Sequence, residues 1–79
     1  MNYETYETYV EENPTITIEL AAKIIGRHDH ENEIKGSELY GVTHYVLEDG
    51  SRDSQTELVA TADDENRVST KSVFDWLGY

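Results

Sequence analysis

The sequence predicts a small single α+β domain. The expected order is helix, helix, a two- or three-stranded antiparallel sheet centred on a β-hairpin, and a final helix, with the helices packed on one face of the sheet. Three observations predict it. Leu39 to Ala62 carries strand-type residues on both sides of an Asp49-Gly50 turn signal. Thr15 to Gly26 and the stretch from Ser69 to Leu77 show apolar residues at helical spacing behind hydroxyl caps. Seventy-nine residues suit one domain, 1–79, and without cysteine no disulfide or thiolate metal site can supplement its modest core.

From the start, Tyr3, Tyr6 and Tyr9 recur in a Tyr-Glu-Thr pattern with Val10 beside them. Spacings of three and four put such rings on one helical face, so a helix docked by its tyrosines is expected, against a frayed or extended arm. Two threonines and four acids weaken that helix, and Asn13-Pro14 ends it. Thr15 to Gly26 is the clearest helix. Thr17 can cap it, Glu19 favours its first turn, and Gly26 is the expected stop. Ile18, Ala21, Ala22 and Ile25 share its apolar face, with Leu20 and Ile24 flanking. Thr15-Ile16-Thr17-Ile18 also alternates like a short strand, and a strand leading into a helix at Glu19 satisfies both patterns.

Arg27 to Ser37 is polar and reads as a loop or frayed helix extension anchored by Ile34. Leu39 to Leu47 reads as a strand, with Gly41 a bulge or close-packing point. The turn is Glu48-Asp49-Gly50-Ser51. The return strand is clear only from about Thr56 to Ala62, which leaves loop length and register open. Asp63-Asp64-Glu65-Asn66 is an acidic turn. Ser69 or Thr70 then caps a helix whose apolar set is Val73, Phe74, Trp76 and Leu77, with Gly78 its stop. Phe74 and Trp76 are expected as core anchors.

Charge is the outlier. Seventeen acids against six Lys and Arg give a net charge of −11. Such a chain repels anions, so direct nucleic-acid binding is not expected and the natural partner is a basic surface. The aromatic and branched residues and the single proline argue that the chain folds despite this charge. No apolar run approaches the roughly 18 residues of a membrane span. The stretch Met1 to Val10 lacks the basic and apolar regions of a signal or transit peptide. A cytoplasmic protein is expected.

Catalytic patterns are missing: the chain has no cysteine nucleophile, no serine motif and no phosphate-binding glycine loop, so an enzyme is not expected. No cofactor is expected. His28-x-His30 with Asp29 and Glu31, and His44 as a third ligand, is the one conceivable metal set, but zinc needs three or four ligands in fixed geometry and nothing fixes this loop. The Asp-x-Asp-x-Asp-Gly alternation of a calcium loop is absent. Thr17 to Gly26 is similar to the first helix of an excisionase-type helix-turn-helix, but Arg27-His28-Asp29-His30-Glu31-Asn32 is too acidic for a recognition helix.

The acids themselves are the remaining signal. Glu4, Glu7, Glu11 and Glu12 fall in the N-terminal segment, and Asp29, Glu31 and Glu33 in the polar loop. Glu48, Asp49 and Asp53 belong to the hairpin tip, and Asp63, Asp64 and Glu65 to the exit turn. Exposed carboxylates can imitate DNA phosphates and occupy a groove lined by Lys and Arg, in a fast, salt-sensitive association. They can equally serve solubility or high salt in a small acidic structural or adaptor module.

The C-terminal half resembles a known family. Thr43-x-Tyr45-x-x-x-Asp49-x-Ser51, Ala62-Asp63-Asp64 and Asp75-Trp76-Leu77 resemble small acidic phage anti-CRISPR proteins of the DNA-mimicking type, which block type I surveillance complexes. The region between Ser51 and Ala62 does not follow the pattern. The resemblance implies a compact α+β fold that binds a basic DNA-binding channel of a CRISPR surveillance complex and excludes target DNA. It implies contact roles for Asp49, Asp63, Asp64 and Asp75. The expectation is therefore a non-enzymatic inhibitor acting by protein–protein interaction, in the host bacterial cytoplasm if phage-encoded as the resemblance implies.

Overall fold

A computed structural model describes the backbone of residues 3–79 and the side chains of residues 7–79. Its elements, in order, are α1 (Tyr3–Glu12), β1 (Thr15–Thr17), α2 (Ile18–Arg27), β2 (Asn32–Lys35), β3 (Glu38–Val46), β4 (Arg52–Thr61), β5 (Arg67–Ser69) and α3 (Thr70–Leu77). The fold is α+β, as the residue pattern predicts. It has two antiparallel sheets rather than one: a β1-β5 pair and a β2-β3-β4 sheet.

The β1-β5 pair gathers the chain's two ends. Ile16 faces Val68 in register, and both are buried. Each strand runs straight into a helix whose cap is the strand's last residue. Thr17 accepts from the Leu20 N–H, and Ser69 accepts from the Ser72 N–H. Buried Thr70 donates its hydroxyl to the Asn13 carbonyl, and its N–H to the Pro14 carbonyl at 3.1 Å. These bonds tie α3 to the segment that closes α1.

Both helices end in the same way. In α3 the Gly78 N–H donates to Asp75 O and the Tyr79 N–H to Phe74 O, around a left-handed Gly78 with φ 95°. In α2 the Asp29 N–H donates to Gly26 O and the His30 N–H to Ile25 O, around a left-handed Asp29 with φ 63°. This is the Schellman pattern twice. Gly26 is therefore not the stop of α2. The turn falls three residues later, on an aspartate, one of the few side chains that tolerate positive φ.

The core is Ile16, Ile18, Ala21, Ile24, Ile25, Leu39, Val59, Val68 and Val73. Within α2, Ile24 takes the buried place expected of Ala22, which packs at the margin. Phe74, Trp76 and Leu77 are half-buried against this core, and Tyr9 meets Phe74 edge-on with centroids 5.9 Å apart. That contact docks α1 by a tyrosine, as expected. The side chains of Tyr3, Glu4 and Tyr6 lie outside the described residues.

Two further expectations are corrected. Asn32 to Lys35 is a strand on the edge of the hairpin sheet, not a loop or helix extension, and Ile34 is 38% exposed rather than an anchor. The return strand begins at Arg52, not near Thr56, and pairs with β3 from Val46↔Arg52 to Glu38↔Thr61. Polar Arg52 to Gln55 is strand because backbone pairing, not burial, holds it there. The one irregularity sets Leu39↔Ala60 beside Tyr40↔Leu58 and leaves Val59 as the extra residue of β4. Gly41 is a close-packing point: a Cβ there would lie 2.5 Å from the Trp76 ring.

Candidate partner-binding surface

The near half of the hairpin sheet is covered by α2 and α3, and the far half is bare. Every residue from His44 to Thr56 is exposed. The molecule extends 44 Å on its longest axis and 15 Å on its shortest. The loop is short and well specified. The Gly50 N–H donates to Leu47 O at 2.9 Å and the Leu47 N–H to Ser51 O at 2.8 Å, with Gly50 left-handed at φ 87°. That is a three-residue hairpin with glycine at the bulge position. Asp49 holds it further by accepting from the Ser51 hydroxyl at 2.6 Å and the Ser51 N–H at 2.9 Å. The Ser51 hydroxyl first, and then its N–H, pull the Asp49 carboxyl below the usual aspartate range.

The register settles where the acidic groups stand. The tip (Glu48, Asp49, Asp53) and the exit turn (Asp63, Asp64, Glu65) lie at opposite ends of β4. That strand is ten residues long. At about 3.3 Å per residue the two clusters are about 30 Å apart along the strand.

The acids divide by what their carboxylates do. Asp49, Asp53 and Asp63 build turns or contact neighbouring strands. Asp63 accepts from the Glu65 and Arg67 N–H groups, and Asp53 from the Ser54 N–H and the Tyr45 hydroxyl. Asp75 pairs with Lys71 at 2.8 Å, Glu33 with Lys35 at 3.7 Å, and Glu31 approaches His44 at 3.5 Å. The carboxylates of Glu7, Glu11, Glu12, Asp29, Glu48, Asp64 and Glu65 are exposed and have no partner among the described residues. Of the four aspartates that the family resemblance brings forward, only Asp64 belongs to this second group.

The outer face of the sheet carries Glu31 and Glu33 along the β2 side, Glu38 at the start of the central strand, and Tyr40, Val42, Val46 and Leu58 across it. Val46 is 67% and Leu58 50% exposed. Tyr40 donates its hydroxyl to Glu38 at 3.1 Å, and this bond, reinforced by desolvation and the carboxylate's charge, raises the phenol's pKa above its ordinary value.

The histidines go to separate places. His28 donates Nδ1–H to Ile24 O and meets the Tyr79 hydroxyl at 2.8 Å through Nε2. His30 donates Nδ1–H to Val42 O and packs edge-on to Trp76, while His44 lies on the outer sheet face. The left-handed turn at Asp29 separates His28 from His30. Among the described residues no group of three His, Asp or Glu is arranged to hold a metal ion.

Two residues escape a reading of the sequence. Glu19 joins the exit-turn cluster, because its carboxylate accepts from Asn66 Nδ2 at 2.8 Å and 3.1 Å. Only the β1-β5 pairing, made of three-residue strands, brings the exit turn to the start of α2. Arg27 reads from the sequence as the first residue of a polar stretch, whereas it is the last residue of α2. No helix among the described residues is long and apolar enough to cross a membrane. Comparison with known protein families, with curated proteins and with solved structures finds no match.

Proposed function

We propose that the chain is a non-enzymatic inhibitor that occupies a basic nucleic-acid-binding surface of a bacterial defence complex, a CRISPR surveillance complex foremost. It blocks DNA binding by presenting carboxylates in place of phosphates. The observation that carries this reading is the placement of Glu48 at one end of β4 and of Asp64 and Glu65 at the other, all exposed and without a partner among the described residues. Their separation of about 30 Å is close to one turn of duplex DNA, about 34 Å. Glu19 extends the second cluster. The net charge of −11 supplies long-range attraction to a Lys- and Arg-lined channel. Exposed Tyr45, Val46 and Leu47 beside the tip add apolar contact area that phosphates lack.

The test is capture of partners from a bacterial lysate at low and high salt, followed by competition between the chain and labelled DNA for the captured complex. A basic DNA-binding subunit should be retained at low salt, lost at high salt, and released from DNA by the chain. Failure to displace DNA would refute the reading. A gain in stability in molar salt with no such partner would favour a small acidic structural or adaptor module instead.

A further inference from the structure

A cleft of about 220 Å³ opens between α1 and the C-terminal ends of α2 and α3. The described residues lining it are Tyr9, Leu20, Ile24, Arg27, His28, Phe74 and Tyr79. We propose that it binds a small amphipathic acid, with an aromatic or short aliphatic body and a single carboxylate. The proposal is independent of the reading above.

The walls set the body. Leu20 and Ile24 form an aliphatic side one helical turn apart. Tyr9, Phe74 and Tyr79 form an aromatic side, in which Phe74 meets both tyrosines edge-on, at 5.9 Å and 5.3 Å. The Schellman turn of α3 fixes that side, because it places Tyr79 back over Phe74. The tether from His28 to the Tyr79 hydroxyl braces the same wall from α2. The volume lies below the roughly 300–1,000 Å³ of drug-sized sites, so a small occupant fits.

Arg27 sets the head group. It stands exposed at the rim and has no carboxylate or hydrogen-bond partner among the described residues, in a chain with seventeen acids. A helix-terminal arginine ordinarily answers the partial negative charge of the last carbonyls. Here other groups already cover those carbonyls: His28 donates to Ile24 O, His30 to Ile25 O and Asp29 to Gly26 O. The guanidinium is left available, and its planar fork matches a carboxylate. Exposed Lys23, one turn earlier, adds to the local positive charge and also lacks a partner among the described residues. The net charge of the chain opposes any anion, but that field is screened within about 10 Å in 0.1 M salt, whereas a contact at Arg27 is not.

Octanoate and 1-octanol, titrated into the full chain and followed by side-chain NMR, test the assignment. Octanoate should bind saturably and shift the signals of Leu20, Ile24 and Phe74, and 1-octanol should bind about tenfold more weakly. Arg27→Gln, a surface change that leaves the walls intact, should lower octanoate affinity about tenfold and leave 1-octanol unaffected. Lys35→Gln, on the distant β2 edge, should change neither. Absence of saturable octanoate binding, or octanoate binding that is equal in the Arg27→Gln protein, would overturn the proposal.

Discussion

Leu39 and Val46 lie at opposite ends of one strand and meet opposite conditions. Leu39 is wholly buried under α2 and α3, whereas Val46 is 67% exposed on a ribbon that no other described element covers. The first end of β3 is held by packing, and the second by backbone bonds to β4 and by the turn chemistry of Asp49, Gly50 and Ser51. Two strands alone are marginally stable in water, so the arm stays ordered because it continues a sheet whose base is anchored. The comparison separates the tasks: the base carries the stability, and the arm is free to carry contact residues.

The largest expected effect comes from the base. Leu39→Ala should lower stability by about 2–5 kcal/mol, measured by denaturant unfolding, since it deletes a fully buried side chain. Gly41→Val comes next, at about 1–3 kcal/mol, because its side chain would overlap the Trp76 ring that covers the strand. Loss of a helix cap, Thr17→Ala or Ser69→Ala, should cost about 1 kcal/mol each. At the far end of the same strand, Val46→Ala should stay within about 0.5 kcal/mol of the parent. A Val46→Ala cost comparable to that of Leu39→Ala would break the comparison, because the arm would then be packed against something.

The smallest effect is a titration. Ser51→Ala removes the hydroxyl that Asp49 accepts from and should raise the Asp49 pKa toward the ordinary aspartate value, as read by carboxyl NMR. The sign follows from the depressed value in the folded state. The loop's contribution is complete above the ordinary aspartate pKa and is lost as pH falls through the lower, folded one. Ser51→Ala should therefore weaken the acid dependence of the turn, not create one.

How much of this was legible in the sequence differs between the two regions. The caps at Thr17 and Ser69, the stop at Gly78 and the Asp49-Gly50 turn are local chemistry, and the residues declare it. Burial of Ile18, Ile25 and Val73 follows from periodicity. The β1-β5 pair was only half legible. Thr15 to Ile18 alternates like a strand, but Arg67 to Ser69 is too short to show a period, and its partner lies some fifty residues away. The return strand begins four residues before its sequence signal, because Arg52 to Gln55 is exposed on both faces and carries no apolar alternation. Asn32 to Lys35 carries no strand signal for the same reason. The acidic candidates with described side chains are legible as exposed groups. Their sorting into turn-building and unpartnered carboxylates is not, since it depends on which N–H each oxygen meets.

The central proposal is that the exposed carboxylates Glu48, Asp64 and Glu65, at the two ends of β4, bind a basic surface and contribute little to folding. It is tested most directly by a variant combining Glu48→Lys, Asp64→Lys and Glu65→Lys, assayed for displacement of labelled DNA from the captured complex and for thermal melting. The account predicts a melting temperature close to that of the parent chain, since all three side chains are exposed and lack partners among the described residues. It also predicts displacement weakened by at least about tenfold, from the loss of three attractive charges and the gain of three repulsive ones. Undiminished displacement by a variant that melts like the parent would contradict it.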